Sequence, residues 1–167
     1  LDRIQANGVH LLRLIDDGLD LAKVEAGRME MELSMVRLDE MIHDLVAQCE
    51  GQMRPGVCMI AELPGDPIFL HADAHRLRQV LLNQLSNAIK FTPEGGRVQV
   101  GAALCGENML ELVVDDTGVG IPLEEQETIF EKFRQGNTKP GRRNNLTREY
   151  EGTGLGLSIV KELSKLL

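Results

Sequence analysis

An α+β fold is predicted by three observations: a two-layer sandwich of helices on strands, preceded by one long amphipathic helix. Apolar residues keep helical spacing from Leu1 to Ala26, strand-like and helical stretches then alternate, and tight turn signals place two strands next to each other as an antiparallel hairpin. Hairpins among mixed elements favour this architecture over a doubly wound parallel sheet.

The first helix carries Leu1, Ile4, Leu11, Leu12, Ile15, Leu19, Ala22 and Ala26 on one stripe and Asp2, Arg3, Asp16, Asp17, Asp20, Lys23 and Glu25 on the other. No nearby segment covers that stripe, so it needs a partner helix from elsewhere. Gly8 and Gly18 each weaken the helix by up to ~1 kcal/mol relative to Ala, which makes such packing more necessary. Gly27 is its expected stop. A short strand follows from Met31 to Met35, extending toward Leu38, and Leu38 to about Met53 returns to helical spacing until Arg54-Pro55-Gly56. Val57 to Leu63 and Ile68 to Leu70 read as strands joined at Pro64-Gly65-Asp66. Asp73 stands at an N-cap position for a helix to about Phe91, which Thr92-Pro93-Glu94-Gly95-Gly96 closes. Val98 to Leu104 and Met109 to Val114 form the hairpin of buried strands around Gly106-Glu107-Asn108, a short helix spans about Leu123 to Phe130, and a last helix begins near Leu155. Both ends look cut: Leu1 starts in mid-pattern without a cap, and Leu167 stops a helix that has no terminator.

Composition narrows the function classes. Aromatic residues make up 3% of the chain and Trp is absent, so aliphatic side chains fill the core and no aromatic platform is offered to nucleic-acid bases. A net charge of -8 also opposes binding to a phosphate backbone. Cys49, Cys58 and Cys105 lack C-x-x-C spacing, which points to neither a disulfide framework nor a zinc site and fits a reducing cytoplasm. No apolar run approaches a membrane span, so no membrane contact by this segment is expected.

Four short patterns carry the chemistry. On the helix after Asp73, Val80, Leu77, Ala88, Leu81, Leu85, Ile89 and Leu82 cover a broad apolar arc, while Asn83, Asn87 and Lys90 bunch within about 60° on the opposite side. Asparagine is a middling helix former, so two of them four apart are not there for propensity. Their carboxamide oxygens can ligate Mg²⁺ and Lys90 can meet a phosphate; a solvated polar face is the alternative. Asp116-Thr117-Gly118-Val119-Gly120 follows an apolar strand directly, placing a carboxylate at a strand end with glycines that let the backbone come close to a flat ligand. That carboxylate can accept from an exocyclic amine such as that of adenine; an ordinary acidic turn or a carboxylate metal loop remain alternatives. Phe130-Glu131-Lys132-Phe133 precedes a run in which Lys132, Arg134, Lys139, Arg142, Arg143 and Arg148 occur with no acidic residue, either a lid for an anion or a solvated basic loop. Gly152-Thr153-Gly154-Leu155-Gly156 then opens a helix whose N-terminal N–H groups suit phosphates, although its spacing matches neither a P-loop nor a dinucleotide-binding fingerprint.

Together these patterns resemble the asparagine, first glycine, phenylalanine and second glycine boxes of sensor histidine kinases, members of the ATP-binding superfamily shared with type II topoisomerases, Hsp90 chaperones and MutL. Leu14 to Met29 is similar to the second helix of the dimerisation and histidine-phosphotransfer hairpin and its exit, and Asp73 to Thr92 is close to the family pattern at nearly every defined position. The resemblance implies a Bergerat-type ATP-binding fold, with residues 1–28 from the helical hairpin and 29–167 from the catalytic domain. It implies that Asn87 ligates Mg²⁺, that Asn83 and Lys90 assist catalysis at the metal and phosphates, and that Asp116 contacts adenine. It further implies that Gly118 and Gly120 shape the adenine pocket and that Phe130 and Phe133 anchor a lid. Arg142 and Arg143 lie in that lid, and Gly152, Thr153, Gly154, Leu155 and Gly156 form its phosphate-facing hinge. The implied activity is transfer of the γ-phosphoryl group of ATP to a His upstream of this segment for relay to a response-regulator receiver domain. The parent would be a homodimer through the hairpin, cytoplasmic in this part.

Two departures qualify the expectation. ATP-hydrolysing relatives carry a general-base Glu where Asn83 stands, and an amide cannot take a proton from water at neutral pH, which favours transfer over hydrolysis. The acceptor His is expected on the first helix of the hairpin, whereas His10 lies on what resembles the second and is followed by Leu11 rather than an acid. His43 reads as a helix-surface residue, and His71 and His75 flank an Asp73 better used as a cap. A nucleotide-binding regulatory module without transfer activity is the alternative function, and a superfamily ATPase the third.

Overall fold

A computed structural model describes residues 2–106, 109–134 and 153–167. The elements are α1 (Asp2–Glu25), β1 (Leu33–Arg37), α2 (Leu38–Glu50), β2 (Cys58–Glu62), β3 (Phe69–Asp73), α3 (Ala74–Phe91), β4 (Arg97–Cys105), β5 (Met109–Asp116), α4 (Leu123–Gln126) and α5 (Gly156–Leu163). They fall into two compact units, one over Met31–Gly120 and one combining Leu1–Glu30 with Ile121–Leu166.

The first unit is the predicted α+β sandwich. β1 and β3 pair antiparallel, and β2, β4 and β5 form a second sheet in that order, with β2 parallel to β4 and β4 antiparallel to β5. Helices α2 and α3 pack on strands of both sheets. The expected junction of β2 and β3 at Pro64-Gly65-Asp66 does not make a hairpin. A parallel pair needs a long crossover, and β3 with α3 supplies it between β2 and β4. The strand hairpin at Gly106 is as expected, but its two strands differ in burial. Central β4 buries Val98, Val100 and Ala102, whereas edge strand β5 alternates half-buried Leu110, Leu112 and Val114 with exposed neighbours.

Leu38, Ile42 and Leu45 of α2 meet Leu81 and Leu85 of α3 and Val98 and Val100 of β4 in one core. Each of these side chains is fully buried and contributes about 1.5–3 kcal/mol. Asp73 ends β3 and caps α3: its Oδ1 accepts from His75 N at 2.9 Å and Arg76 N at 3.0 Å, while Oδ2 accepts from Glu32 N at 2.9 Å. Burial alone would raise its pKa, but these bonds and the Arg76 charge outweigh that and hold it below the usual carboxylate value. α2 ends at Glu50, short of the expected Met53, because the next residues close i→i−3 turns, Gln52 N to Cys49 O and Met53 N to Glu50 O.

In the second unit α1 runs as predicted and packs against α5, and its Leu21 is buried. Gly27, at φ +63°, terminates it in a Schellman motif: Arg28 N donates to Lys23 O at 2.9 Å and Gly27 N to Val24 O at 3.0 Å. Leu11, Leu12, Ile15 and Leu19 stay exposed, so this stretch of the stripe is left uncovered among the described residues. The helix expected to reach Phe130 is a single turn, α4, and the last helix ends at Leu163 rather than continuing to Leu167. Among the described residues no helix is long and apolar enough to cross a membrane.

Candidate functional site

The 18-residue helix α3 displays the predicted polar stripe because its other face is committed to the core. Leu77, Val80, Leu81, Leu85, Ala88 and Ile89 are buried, which fixes the helix about its axis and leaves Asn83, Asn87 and Lys90 half-buried on the far side. The Asn83 Nδ2 is buried with no hydrogen-bond partner among the described residues, a donor whose desolvation is uncompensated there. Lys90 Nζ lies 5.0 Å from the centroid of the Phe91 ring, and burial pushes its ammonium pKa below the ordinary value.

Asp116 sits at the end of β5, where register decides its direction. It pairs with Val98, so its side chain shares the helix-facing side of the sheet with Val100 and Val114 while remaining exposed at the rim. The carboxylate Oδ1 accepts from Gly118 N at 2.8 Å. Gly118 is required by space: a Cβ there would lie 2.6 Å from Asp116 Oδ1 and 2.6 Å from the Phe91 carbonyl oxygen. Gly120 is required by conformation instead, at φ +67° with nothing crowding it. The Asp116 carboxylate is thus tied, through Gly118, to the last turn of the helix that carries Lys90.

In the other unit the predicted lid residues are set by backbone. Phe130 is half-buried and Phe133 exposed, the latter at φ +57°, a left-handed conformation rare for an aromatic residue. Gly154, at φ +70°, sits against it: a Cβ would lie 2.9 Å from Phe133 C and 3.1 Å from Arg134 O. Thr153 Oγ1 accepts from Leu155 N at 3.2 Å, Leu155 is buried, and Gly156 begins α5. Lys132 pairs with Glu25 at the end of α1. Arg142, Arg143 and Gly152 lie outside the described residues.

Three further residues have a place in this arrangement, and of them only Thr117 lies within one of the four motifs. Thr92, Gly96 and Thr117 meet where α3 ends and β4 begins, and in sequence they read only as turn and strand-end residues. The Gly95-Gly96 pair is the one signal that the backbone is crowded there. His71 and His75 take part in no metal cluster, none being found among the described residues.

Residues 72–167, more than half of the chain, match the family described as histidine kinase-, DNA gyrase B-, and HSP90-like ATPase. An uncharacterized sensor-like histidine kinase of Rhizobium meliloti (strain 1021) is 42% identical over 98% of this chain and 30% of its own length. The circadian input-output histidine kinase CikA of Synechococcus elongatus is 37% identical over 98% of this chain and 21% of its own. Full-length ShkA, solved in complex with AMPPNP, superposes with a TM-score of 0.79 at 32% identity over 98% of this chain and 32% of that one. The mycobacterial sensor histidine kinase MprB gives 0.67 at 29% identity over 81% and 80% of the two chains. Histidine kinase ThkA, solved in complex with response regulator protein TrrA, gives 0.61 at 25% identity over 80% and 39%. The chain spans less than a third of the length of these curated relatives. By its fold, its four motifs and this match, the chain belongs to the histidine kinase-, DNA gyrase B- and HSP90-like ATPase family.

Proposed function

We propose that this chain is the ATP-binding catalytic portion of a sensor histidine kinase, with residues 1–28 belonging to the dimerisation and phosphotransfer hairpin and 29–167 to the catalytic domain. The observation that carries the reading is the amide and ammonium stripe of α3 joined, through the Gly118 contact at Phe91, to a carboxylate at the end of β5. That spacing offers one acceptor to a base and a cluster of amide and cationic groups to a polyphosphate.

The residues fit a Mg-nucleotide. A carboxylate cage is absent among the described residues, and Mg²⁺ suits a single protein ligand because it keeps water and phosphate oxygens around it. Asn87 would be that ligand, and when bound the ion would neutralise phosphate charge during transfer. The Asn83 Nδ2, without a hydrogen-bond partner among the described residues, fits a phosphate oxygen as acceptor, and the half-buried Lys90 ammonium would add a positive charge beside the phosphates. Asp116 would accept from the adenine amine, with Gly118 and Gly120 shaping the turn beside it. Phe130, Phe133, Arg142, Arg143 and the segment from Gly152 to Gly156 would serve as lid and hinge, with the arginines neutralising the triphosphate.

In the transfer the γ-phosphorus forms a bond to an imidazole nitrogen of a His upstream of this segment. Its bond to the bridging oxygen breaks, ADP leaves with the electron pair, and the imidazole loses a proton. With Asn83 in place of a carboxylate, no group on the stripe can draw a proton from water, so positioning rather than hydrolysis is favoured. The partners would be a second copy joined through the hairpin and a response-regulator receiver domain, in the cytoplasm. Radiolabelled ATP tests this. The chain alone should bind Mg-ATP without labelling itself, and a version extended upstream through the first hairpin helix should acquire an acid-labile, base-stable phosphoryl group. Phosphate release without label would favour an ATPase, and binding without either would favour a regulatory module.

A further inference from the structure

We infer that Thr92, Gly96 and Thr117 form a positioning clamp that sets the depth and direction of the Asp116 carboxylate, and with it the selectivity of the site for an amine-bearing purine. The inference rests on the reading of Asp116 as the acceptor for the adenine amine.

Thr92 is fully buried, and its Oγ1 donates to Ala88 O at 2.7 Å while its own N–H donates to the same carbonyl at 3.0 Å. Both bonds lock its methyl against the start of β4. A Cβ at Gly96 would lie 2.4 Å from Thr92 Cγ2, 2.9 Å from Thr117 Oγ1 and 3.0 Å from Pro93 O, so the helix end, the turn and the strand end meet there with no spare volume. Thr117 is bound on the other side, where its Oγ1 accepts from Arg97 N at 2.8 Å and its N–H donates to Arg97 O at 3.0 Å. The ladder register ends one residue earlier, at Val98 and Asp116. Thr117 therefore extends the pairing by one residue past the carboxylate and prevents Asp116 from fraying with an edge strand.

The clamp also spans the site. Lys90 lies two residues before Thr92, and Asp116 one residue before Thr117, so the phosphate-side ammonium and the base-side carboxylate share one rigid backbone junction. Gly118 closes it from the far side by packing on the Phe91 carbonyl. Loosening the junction removes no ligand-contacting group and acts through how well the carboxylate is aimed. Aim matters for a directional acceptor more than for charge contacts to phosphates.

The test compares ATP with purine riboside 5′-triphosphate, which lacks the exocyclic amine, by calorimetric titration. The unmodified chain should prefer ATP by about 10- to 100-fold, the range of a hydrogen bond to a charged acceptor. Thr117→Val keeps the volume but removes the acceptor for Arg97 N, and should lower that preference about tenfold, mostly through ATP, leaving the amine-free nucleotide nearly unchanged. Thr117→Ser should restore the preference, and Gly96→Ala should lower it as Thr117→Val does. Equal weakening of both nucleotides by Thr117→Val and Gly96→Ala, or no change in either, overturns the clamp. No preference in the unmodified chain overturns the reading of Asp116 itself, and the inference with it.

Discussion

The α3–β5 region and the Phe133–Gly154 region hold their predicted site residues by opposite means. In the first, side chains are aimed by burial: six core residues of α3 fix its rotation, and the β4–β5 register fixes the face on which Asp116 emerges. In the second, the backbone itself is the device, a left-handed Phe133 against a left-handed Gly154 that has no room for a side chain. A site built on a packed helix tolerates surface change but not core change. A site built on backbone contact is sensitive to a single methyl group.

The largest effect should come from the core under the polar stripe. Leu85 is fully buried between Asn83 and Asn87 in sequence, and Leu85→Ala should cost about 2–5 kcal/mol in urea unfolding. Substitution at exposed Leu12 on α1, by contrast, should leave the stability of this chain within about 0.5 kcal/mol.

The glycines sharpen the comparison. Gly120→Ala puts a side chain at φ +67° in open space and should cost about 1–2 kcal/mol, the left-handed penalty alone. Gly154→Ala adds a contact of 2.9 Å with the Phe133 backbone and should cost more than Gly120→Ala in thermal melts. Equal costs would show that backbone crowding does not fix the second region.

An effect of about 1–2 kcal/mol, comparable to that of Gly120→Ala, is expected for Asp73→Ala, which removes an N-cap and the tie to Glu32. Because the folded pKa is lowered, this stability is present above the unfolded value near 3.8 and is lost as pH falls through the folded one. The difference between parent and variant should therefore shrink on acidification below that value. Lys90 titrates in the other direction. Its lowered pKa means that the ammonium is lost earlier than usual as pH rises, so triphosphate affinity should fall on the alkaline side before an ordinary lysine would deprotonate. Lys90→Arg, which stays charged, should remove that decline.

The same contrast explains what could be read from sequence. α3 was legible at both ends because Asp73 is a capping residue and apolar periodicity is continuous from Leu77 to Ile89. The hairpin of β4 and β5 was legible from its turn, but the difference in burial between the two strands was not, because a neighbour on each side, not composition, makes β4 central. Pro64-Gly65-Asp66 announced a bend and nothing about pairing, so β2 and β3 took partners that a local signal cannot name. The four motifs located the candidate residues. Of the junction of Thr92, Gly96 and Thr117 they include only Thr117 and say nothing of the meeting, since contacts between the end of a helix and the end of a distant strand leave no periodic trace.

The most direct test of the central claim, a site that reads adenine through Asp116 and holds the triphosphate on the α3 stripe, is calorimetric titration of this chain with Mg-ATP and Mg-GTP, repeated with Asp116→Asn. ATP should bind and GTP bind poorly, and Asp116→Asn should remove about 1–3 kcal/mol from ATP binding. Equal affinity for the two nucleotides, or an Asp116→Asn variant that binds ATP as the parent does, would contradict the account.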